Sequence, residues 1–354
     1  MVRKATSQDV ADRAGVSRSA VSFVMNDRAD GNIAKDKQEL IRAAAKELNY
    51  TPNAVARSLQ SRRTHTIGVV TDSIAGGPFA GKLLQGASNA AYRAGYLLLV
   101  IDTQSEDVRE DSAFTTLLNR QVDALVFATM SLREHAPHPA MTGLPAVLAN
   151  CFDPAGSIRS IIPDEVAGGR AAAQILLDAG HKDIAYLSGS GELVATARRT
   201  QGFKEAMGAA GIPAPEAVTA GWEIDDGYAA AIRLLAGDDG RTPRAGHPTG
   251  IVCANDRVAL GAMLACGTLG LRVPCDISLV GYDDDEPLAR TTVPGLTTIA
   301  LPHREMGEAA MEFLLADLGR GVRPARATTA TSRTDQLLLP CPVVMRGSVA
   351  APRR

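Results

Sequence analysis

The chain opens on three short stretches whose apolar residues recur at helical spacing. Thr6 precedes a first helix with Val10, Ala11 and Ala14 on one side, and Gly15 stops it. Asp9, at the third helical position, makes a short-armed version of the reciprocal capping box. Ser17 caps a second helix whose inner face carries Ala20, Val21, Val24 and Met25. A polar loop from Asn26 to Asn32 follows. The third helix, Lys35 to Leu48, places Leu40, Ile41, Ala44, Ala45 and Leu48 inward. Tyr50-Thr51-Pro52 then interrupts the pattern. The segment from Asn53 to Leu59 has helix-forming residues but is too short to hold a helix alone in water. Polar, basic residues lead from it to Thr64.

From His65 the period changes. Apolar runs at Ile67–Val70, Tyr96–Ile101, Ala124–Ala128, Ala146–Ala149, Ile184–Leu187, Ile251–Ala254 and Ile277–Gly281 alternate with amphipathic stretches. Those stretches are 79–94, 106–120, 165–179, 198–210, 226–236, 257–269 and 303–318. Such alternation predicts parallel sheets covered by helices. The span exceeds one comfortable sheet, so two α/β lobes are expected.

A length of 354 residues with 45% hydrophobic content suits two or three folded domains. No apolar run approaches the roughly 20 residues a membrane span needs. The basic N-terminus lacks an apolar run behind it, so it does not read as a secretory signal. The expectation is a cytoplasmic protein with no membrane partner. Cys151, Cys253, Cys266, Cys275 and Cys341 are far apart and form no C-x-x-C. They read as reduced thiols, with no metal site and no cofactor expected. Charge divides unevenly: residues 1–63 hold 12 Lys/Arg against 7 Asp/Glu, and the remainder hold 25 against 32. A basic end on an acidic body suits a protein that meets a polyanion at one end only.

The stretch Gln8 to Ser22 has the logic of a helix-turn-helix. Gly15 supplies the permissive backbone of a tight turn, and small Ala11 lets the two helices approach. The second helix then lays its first residues against base edges in the major groove. Here the sequence resembles the LacI/GalR family of bacterial regulators. The resemblance rests on D-V-A-x-x-A-G-V-S-x-x-x-V-S (Asp9 to Ser22), Asn26, L-N-Y-x-P-N (Leu48 to Asn53) and A-V-A-R-S-L (Ala54 to Leu59). It continues through I-G-V-V (Ile67 to Val70), A-N-D (Ala254 to Asp256), V-G-Y-D-D (Val280 to Asp284) and T-T-I (Thr297 to Ile299).

Carried over by position, the resemblance makes Arg18 and Ser19 the foremost base readers, with Ala20 and Phe23 beside them. A guanidinium bonds guanine bidentately, and an aromatic ring packs on a thymine methyl. Phe23 stands where the family often has arginine. Ser7, Ser17, Ser22 and Asn26 would hold phosphates, which fixes register. The resemblance reads Asn53 to Leu59 as a hinge helix entering the minor groove. Asn53, Ala56 and Arg57 lie there, and Leu59 is the wedge that opens a base step. It further implies a regulatory domain like the periplasmic sugar-binding proteins, with a ligand cleft beyond the carboxyl ends of the strands. The candidates at such ends are Asp72, Asn150, Asn255 and Asp283. Arg199 matches the family's ligand-binding arginine in R-x-x-G-F, and His303 follows the Thr297–Ala300 strand. Phe79 and Trp222 would cover an apolar ring face. Donor-only arginine, acceptor-only aspartate and bifunctional asparagine suit adjacent hydroxyls. Leu301 replaces a frequent glutamine, so one polar contact is expected to be missing.

The expected architecture is an all-α helix-turn-helix headpiece (1–52), a hinge and linker (53–64), an α/β two-lobed, periplasmic-binding-protein-like sensor (65–346) and a tail (347–354). The expected function is that of a transcriptional repressor. It binds a near-palindromic double-stranded DNA operator as a homodimer and is switched by a small polar effector, a sugar. The alternative is a corepressor-dependent regulator with a nucleoside or purine effector. A solute-binding protein shares the two-lobed fold but needs export. An enzyme lacks support, since no G-x-G-x-x-G, P-loop or G-x-S-x-G occurs. The end of the chain has no leucine heptads to build a tetramer, so a dimer is favoured.

Overall fold

The computed structural model describes residues 5–26, 29–51, 63–73, 80–319 and 336–353. The chain divides into two compact units, Met1–His65 and Thr66–Arg354.

The first unit is built on α1 (Ser7–Ala14), α2 (Arg18–Met25) and α3 (Lys35–Glu47). The capping box forms: the Asp9 amide donates to Thr6 Oγ1 at 3.3 Å, and the Thr6 amide donates to Asp9 Oδ2 at 2.8 Å. Gly15 takes φ 64°, a left-handed value that glycine adopts without a Cβ penalty. Ser17 Oγ accepts from the Ala20 amide at 3.2 Å and starts α2. Val10, Ala11, Val21, Val24, Ile41, Ala44 and Ala45 close the core. Leu40, expected inward, is 56% exposed. The buried stripe of α3 is narrow, and Leu40 falls on its flank. Gln38, one turn before Ile41, goes inward instead because its amide donates to Ile33 O at 2.9 Å.

The second unit holds two six-stranded sheets. The N-lobe sheet has strands β1 (Thr66–Thr71), β2 (Leu97–Asp102), β3 (Ala124–Glu134), β4 (Ala146–Phe152), β5 (Ser160–Pro163) and β11 (Gln336–Leu339), in the order β11-β5-β4-β3-β1-β2. The C-lobe sheet has β6 (Ile184–Ser188), β7 (Val218–Thr219), β8 (Gly250–Cys253), β9 (Ser278–Asp283), β10 (Thr297–Ala300) and β12 (Val343–Val344), in the order β12-β10-β9-β8-β6-β7. All neighbours are parallel except β10 and β12. Helices α4 (Ala80–Arg93), α5 (Asp107–Asn119) and α11 (His303–Asp317) cover the N-lobe. Helices α6 (Glu165–Asp178), α7 (Val194–Ala209), α8 (Ile224–Leu235), α9 (Asp256–Thr268) and the short α10 (Glu286–Thr291) cover the C-lobe. The chain passes between lobes at β5–α6, β10–α11 and β11–β12. The two orders turn back between β1 and β3 and between β6 and β8. Ligands of open parallel sheets sit at such switch points, beyond the strands' carboxyl ends.

The residues after 346 are not a separate tail. Ser348 is fully buried; its hydroxyl donates to Leu279 O at 2.6 Å and accepts from the Thr297 amide at 2.8 Å. The Ala350 carbonyl lies 2.8 Å from the His181 ring. This segment satisfies backbone and hydroxyl groups that β9 and β10 would otherwise bury unpaired, which fixes it to the C-lobe.

Candidate functional site

In the headpiece, α2 turns one face inward and one outward. Ser17, Arg18 and Ser19 are exposed, Phe23 is 40% exposed, and Ser22 is half-buried beside them. Residues 18, 19, 22 and 23 are three and four apart, so they share one helix face. Ala20 does not join them. It packs in the headpiece core at 9% exposure, and its assignment as a base reader falls with that burial. Asn26 ends α2, its amide donating to Ser22 O at 2.8 Å. Ser7 is half-buried at the start of α1. Asn53, Ala56, Arg57, Leu59 and Phe79 lie outside the described residues.

In the sensor unit, the strand ends carry the chemistry. Asp72 follows β1 and is 6% exposed. Its Oδ1 accepts from the amides of Ser73 at 2.7 Å and Met130 at 2.9 Å, tying β1 to β3 at the switch point. Burial pushes its carboxyl above the usual range, against those two amides. Asn150, in β4 at φ 58°, donates from Nδ2 to Thr129 O and Met130 O, both at 3.0 Å. Its amide therefore braces the irregular part of β3, where the register with β4 shifts between Ala128 and Arg133.

Across the cleft, Arg199 on α7 is buried among four partners. Nε and Nη2 donate to the Glu165 carboxylate at 2.8 and 3.0 Å, and Nη1 donates to Ala254 O at 2.7 Å. Asp283 Oδ1 lies 3.4 Å from Nη2, and the guanidinium stacks 3.7 Å from the Tyr282 ring centroid. Asp283 ends β9 at φ 102°, an uncommon conformation for a residue with a side chain. Burial pushes its carboxyl up to about 7 despite the pull of Arg199. Among the described residues its Oδ1 has no hydrogen-bond donor. Asn255 caps α9: Oδ1 accepts from the Val258 amide at 2.8 Å, and Nδ2 donates to Trp222 O at 3.0 Å. Trp222 is half-buried, with its indole N–H on Ser190 O at 3.1 Å. Leu301 packs half-buried on the C-lobe core, so the polar contact of a glutamine is absent there. His303 opens α11 at 4% exposure. Burial, with Lys82 and Arg199 nearby, lowers its pKa to about 4.

The structure thus brings Asp72, Arg199, Trp222, Asn255 and Asp283 to carboxyl ends of strands or the segments that follow them, and Asn150 to the last part of β4 itself. Sequence reasoning missed Glu165, the bidentate partner of Arg199. An acidic residue at the first position of a helix resembles an ordinary dipole-favouring charge, and nothing local marks it otherwise. What makes the pair is the crossing of α6 and α7. A Cβ at Gly169 would stand 2.2 Å from the Arg199 carbonyl oxygen. Gly169→Ala should therefore push α7 away and cost about 1–3 kcal/mol, the range for overpacking a close contact. Urea unfolding checks this; an unchanged midpoint would mean the helices yield freely.

Two buried groups bend the stability profile in opposite senses. Asp283 titrates near 4 when unfolded and about 7 when folded, so the folded state binds the extra proton in that window. Its cost grows as pH rises from 4 to 7 and is fully present above. His303 titrates near 6.5 when unfolded and about 4 when folded, so its contribution is lost as pH falls through that range. The stability of Asp283→Asn relative to the parent should rise from pH 4 to 7 and then level. Denaturant titrations at stepped pH read the difference; parallel profiles would refute it.

Comparisons with known proteins place the chain by sequence and by fold. A model of bacterial regulatory proteins of the lacI family matches residues 6–53, and a model of the periplasmic binding protein-like domain matches residues 173–349. The HTH-type transcriptional repressor PurR of Vibrio campbellii is 36% identical over 314 residues, 88% of this chain and 91% of its own. The ribose operon repressor of Escherichia coli K12 is 34% identical over 350 residues, 97% of this chain and 99% of its own. The structure of the lac repressor dimer bound to operator and the anti-inducer ONPF has a TM-score of 0.78 at 30% identity, covering 99% of this chain and 100% of that one. The complex of the transcriptional regulator CelR with cellobiose has a TM-score of 0.65 at 27% identity, covering 97% of this chain and 99% of that one.

Proposed function

This chain belongs to the lacI family of bacterial regulatory proteins, and from that premise we propose how it reads DNA and what switches it. It is a DNA-binding transcriptional repressor and not an enzyme. Among the described residues no helix is long and apolar enough to cross a membrane.

The protein binds a near-palindromic operator as a homodimer. A recognition helix of eight residues reads too few bases alone, and two copies double the site. Arg18 and Ser19 read bases, with Phe23 beside them, while Ser7, Ser17, Ser22 and Asn26 hold phosphates. In the segment from Asn53 to Leu59, which lies outside the described residues, Asn53, Ala56 and Arg57 are the proposed DNA contacts and Leu59 the proposed wedge. Leu59→Ala should leave effector binding intact while reducing the operator's bend. Bending gels measure this, and an unchanged bend would remove the wedge.

The effector is a small polyhydroxylated molecule, a sugar, bound between the lobes and releasing DNA. One observation carries this reading: among the described residues the Asp283 carboxyl, at the end of β9 and 3.4 Å from Arg199, keeps a buried oxygen with no hydrogen-bond donor. Asp72, Asn150 and Asn255 would add polar groups and Trp222 an apolar face; Phe79, the second ring proposed, lies outside the described residues. The 36% identity to a PurR repressor favours one second reading, a purine corepressor that tightens DNA binding. Thermal shift of the full chain against pentoses, hexoses, nucleosides and free purines separates the two. A sugar is expected to raise Tm; a shift with purines alone would transfer the site to the second reading.

A further inference from the structure

Strand β3 runs past its neighbours, from Ala124 to Glu134. The Asn150 amide holds the Thr129 and Met130 carbonyls, and pairing with β4 resumes at Arg133. Within this extension Leu132 packs with Phe152 and Ile162 of the N-lobe and with Val194 and Ala195 of α7 in the C-lobe. The extension therefore lies where the two lobes meet. Its next residue, Arg133, sits beside Asp72 at the β1–β3 switch point.

Arg133 has a side chain 40% exposed and only loosely held. Its Nε is 3.6 Å from Asp72 Oδ2, beyond hydrogen-bond range, and its guanidinium stands 6.0 Å from the Phe127 ring centroid. Among the described residues no hydrogen bond engages its five donors. The acids around it do not saturate it either. Glu110 lies 3.5 Å from the His135 ring, and burial pushes both Glu110 and Asp72 above the usual carboxylate range. Beside Asp72, at the carboxyl ends of β1 and β3, the N-lobe thus presents a planar fork of donors with a fixed charge. A neutral hydroxyl accepts from one such donor at a time, whereas a phosphate or carboxylate accepts from the fork bidentately and with its charge matched.

We propose that Arg133 is a specificity residue of the effector site, and that the effector is a sugar bearing one anionic oxygen group, a phosphate ester or a carboxylate. This rests on the polyol reading of the cleft. Isothermal titration of the full chain at fixed salt tests it, with D-ribose against D-ribose 5-phosphate, D-glucose against D-glucose 6-phosphate and D-gluconate, and inorganic phosphate alone. For the sugar skeleton that fits, the anionic member should bind at least about tenfold tighter than its neutral parent, the worth of one charge-assisted contact. Arg133→Gln should level the two, and inorganic phosphate alone should bind far more weakly than the anionic sugar. Neutral sugars binding as tightly as anionic ones, or an anionic preference that survives Arg133→Gln, would overturn the proposal and leave the polyol reading standing. Phosphate alone matching the sugar phosphate would also overturn it, since the site would then hold an anion and no sugar. Binding of purines with no sugar of either kind would defeat the polyol reading itself, and this proposal with it.

Discussion

Arg199→Ala should lose about 3–5 kcal/mol of stability, because it strands the Glu165 carboxylate in a buried site. Glu165 is 2% exposed and meets Arg199 through two hydrogen bonds. The same substitution frees the Ala254 carbonyl and removes the cation beside Asp283. Loss of the effector response should accompany the loss of stability. A second variant separates the two effects. Replacing Glu165 and Arg199 together by methionine removes both charges, so much of the stability should return while the effector response stays lost. Urea unfolding and effector titration on the pair read both outcomes. Arg199→Ala with parental stability would mean that water reaches Glu165 and that the pair does not hold α6 and α7 together. Recovery of the effector response in the double variant would show that Arg199 takes no part in the site.

Arg18→Ala should weaken operator binding by about 1–3 kcal/mol for each bidentate pairing with a base that it removes, and a dimer loses two. Arg18 is the first residue of α2, exposed, and one turn from Ser22 on the same face. A base reader and a phosphate anchor leave different signatures when removed. Loss of a reader flattens the preference at one position in each half-site; loss of an anchor weakens every sequence alike and lowers the salt dependence. Binding to a library of single-base operator variants distinguishes them. An Arg18→Ala variant that kept the parental preference at every position would assign the residue to the backbone.

What the sequence disclosed depended on how local each cause is. The Thr6–Asp9 cap, the Gly15 turn and the Ser17 cap each lie within one turn of helix, and each was legible residue by residue. Strands with continuous apolar runs, β1 to β4, β6, β8 and β9, stood out for the same reason. Strands β5, β7, β11 and β12 have two to four residues and border or approach the sheet edges, where a short run has no distinct pattern. Leu40 misled because hydrophobicity alone does not say how wide a buried stripe is; Gln38 took the inward place through one hydrogen bond. Ala20 fitted two roles by sequence, core and reader, and burial decided between them. In the cleft, Asp283 and Arg199 were legible through their motifs. Their coupling was not, because it depends on Glu165 arriving from α6 across a contact that Gly169 makes close. The role of Ser348 was hidden likewise, since its partners Leu279 and Thr297 lie on strands far back in the chain.

On the proposed reading, the cleft acts as a control on the headpiece. An effector moves the equilibrium only by its unequal affinity for two lobe arrangements, a coupling of about 1–3 kcal/mol. Asp283 carries, among the described residues, a buried carboxyl oxygen with no hydrogen-bond donor beside Arg199, and it lies outside the helix-turn-helix unit. The most direct measurement is operator affinity at fixed salt, with and without a saturating sugar from the thermal-shift panel, for the parent and for Asp283→Asn. The sugar should weaken operator binding by the parent about tenfold, the middle of that coupling range. Asp283→Asn should bind operator as the parent does and ignore the sugar. A full sugar response in Asp283→Asn would place the effector elsewhere and contradict the assignment of the cleft.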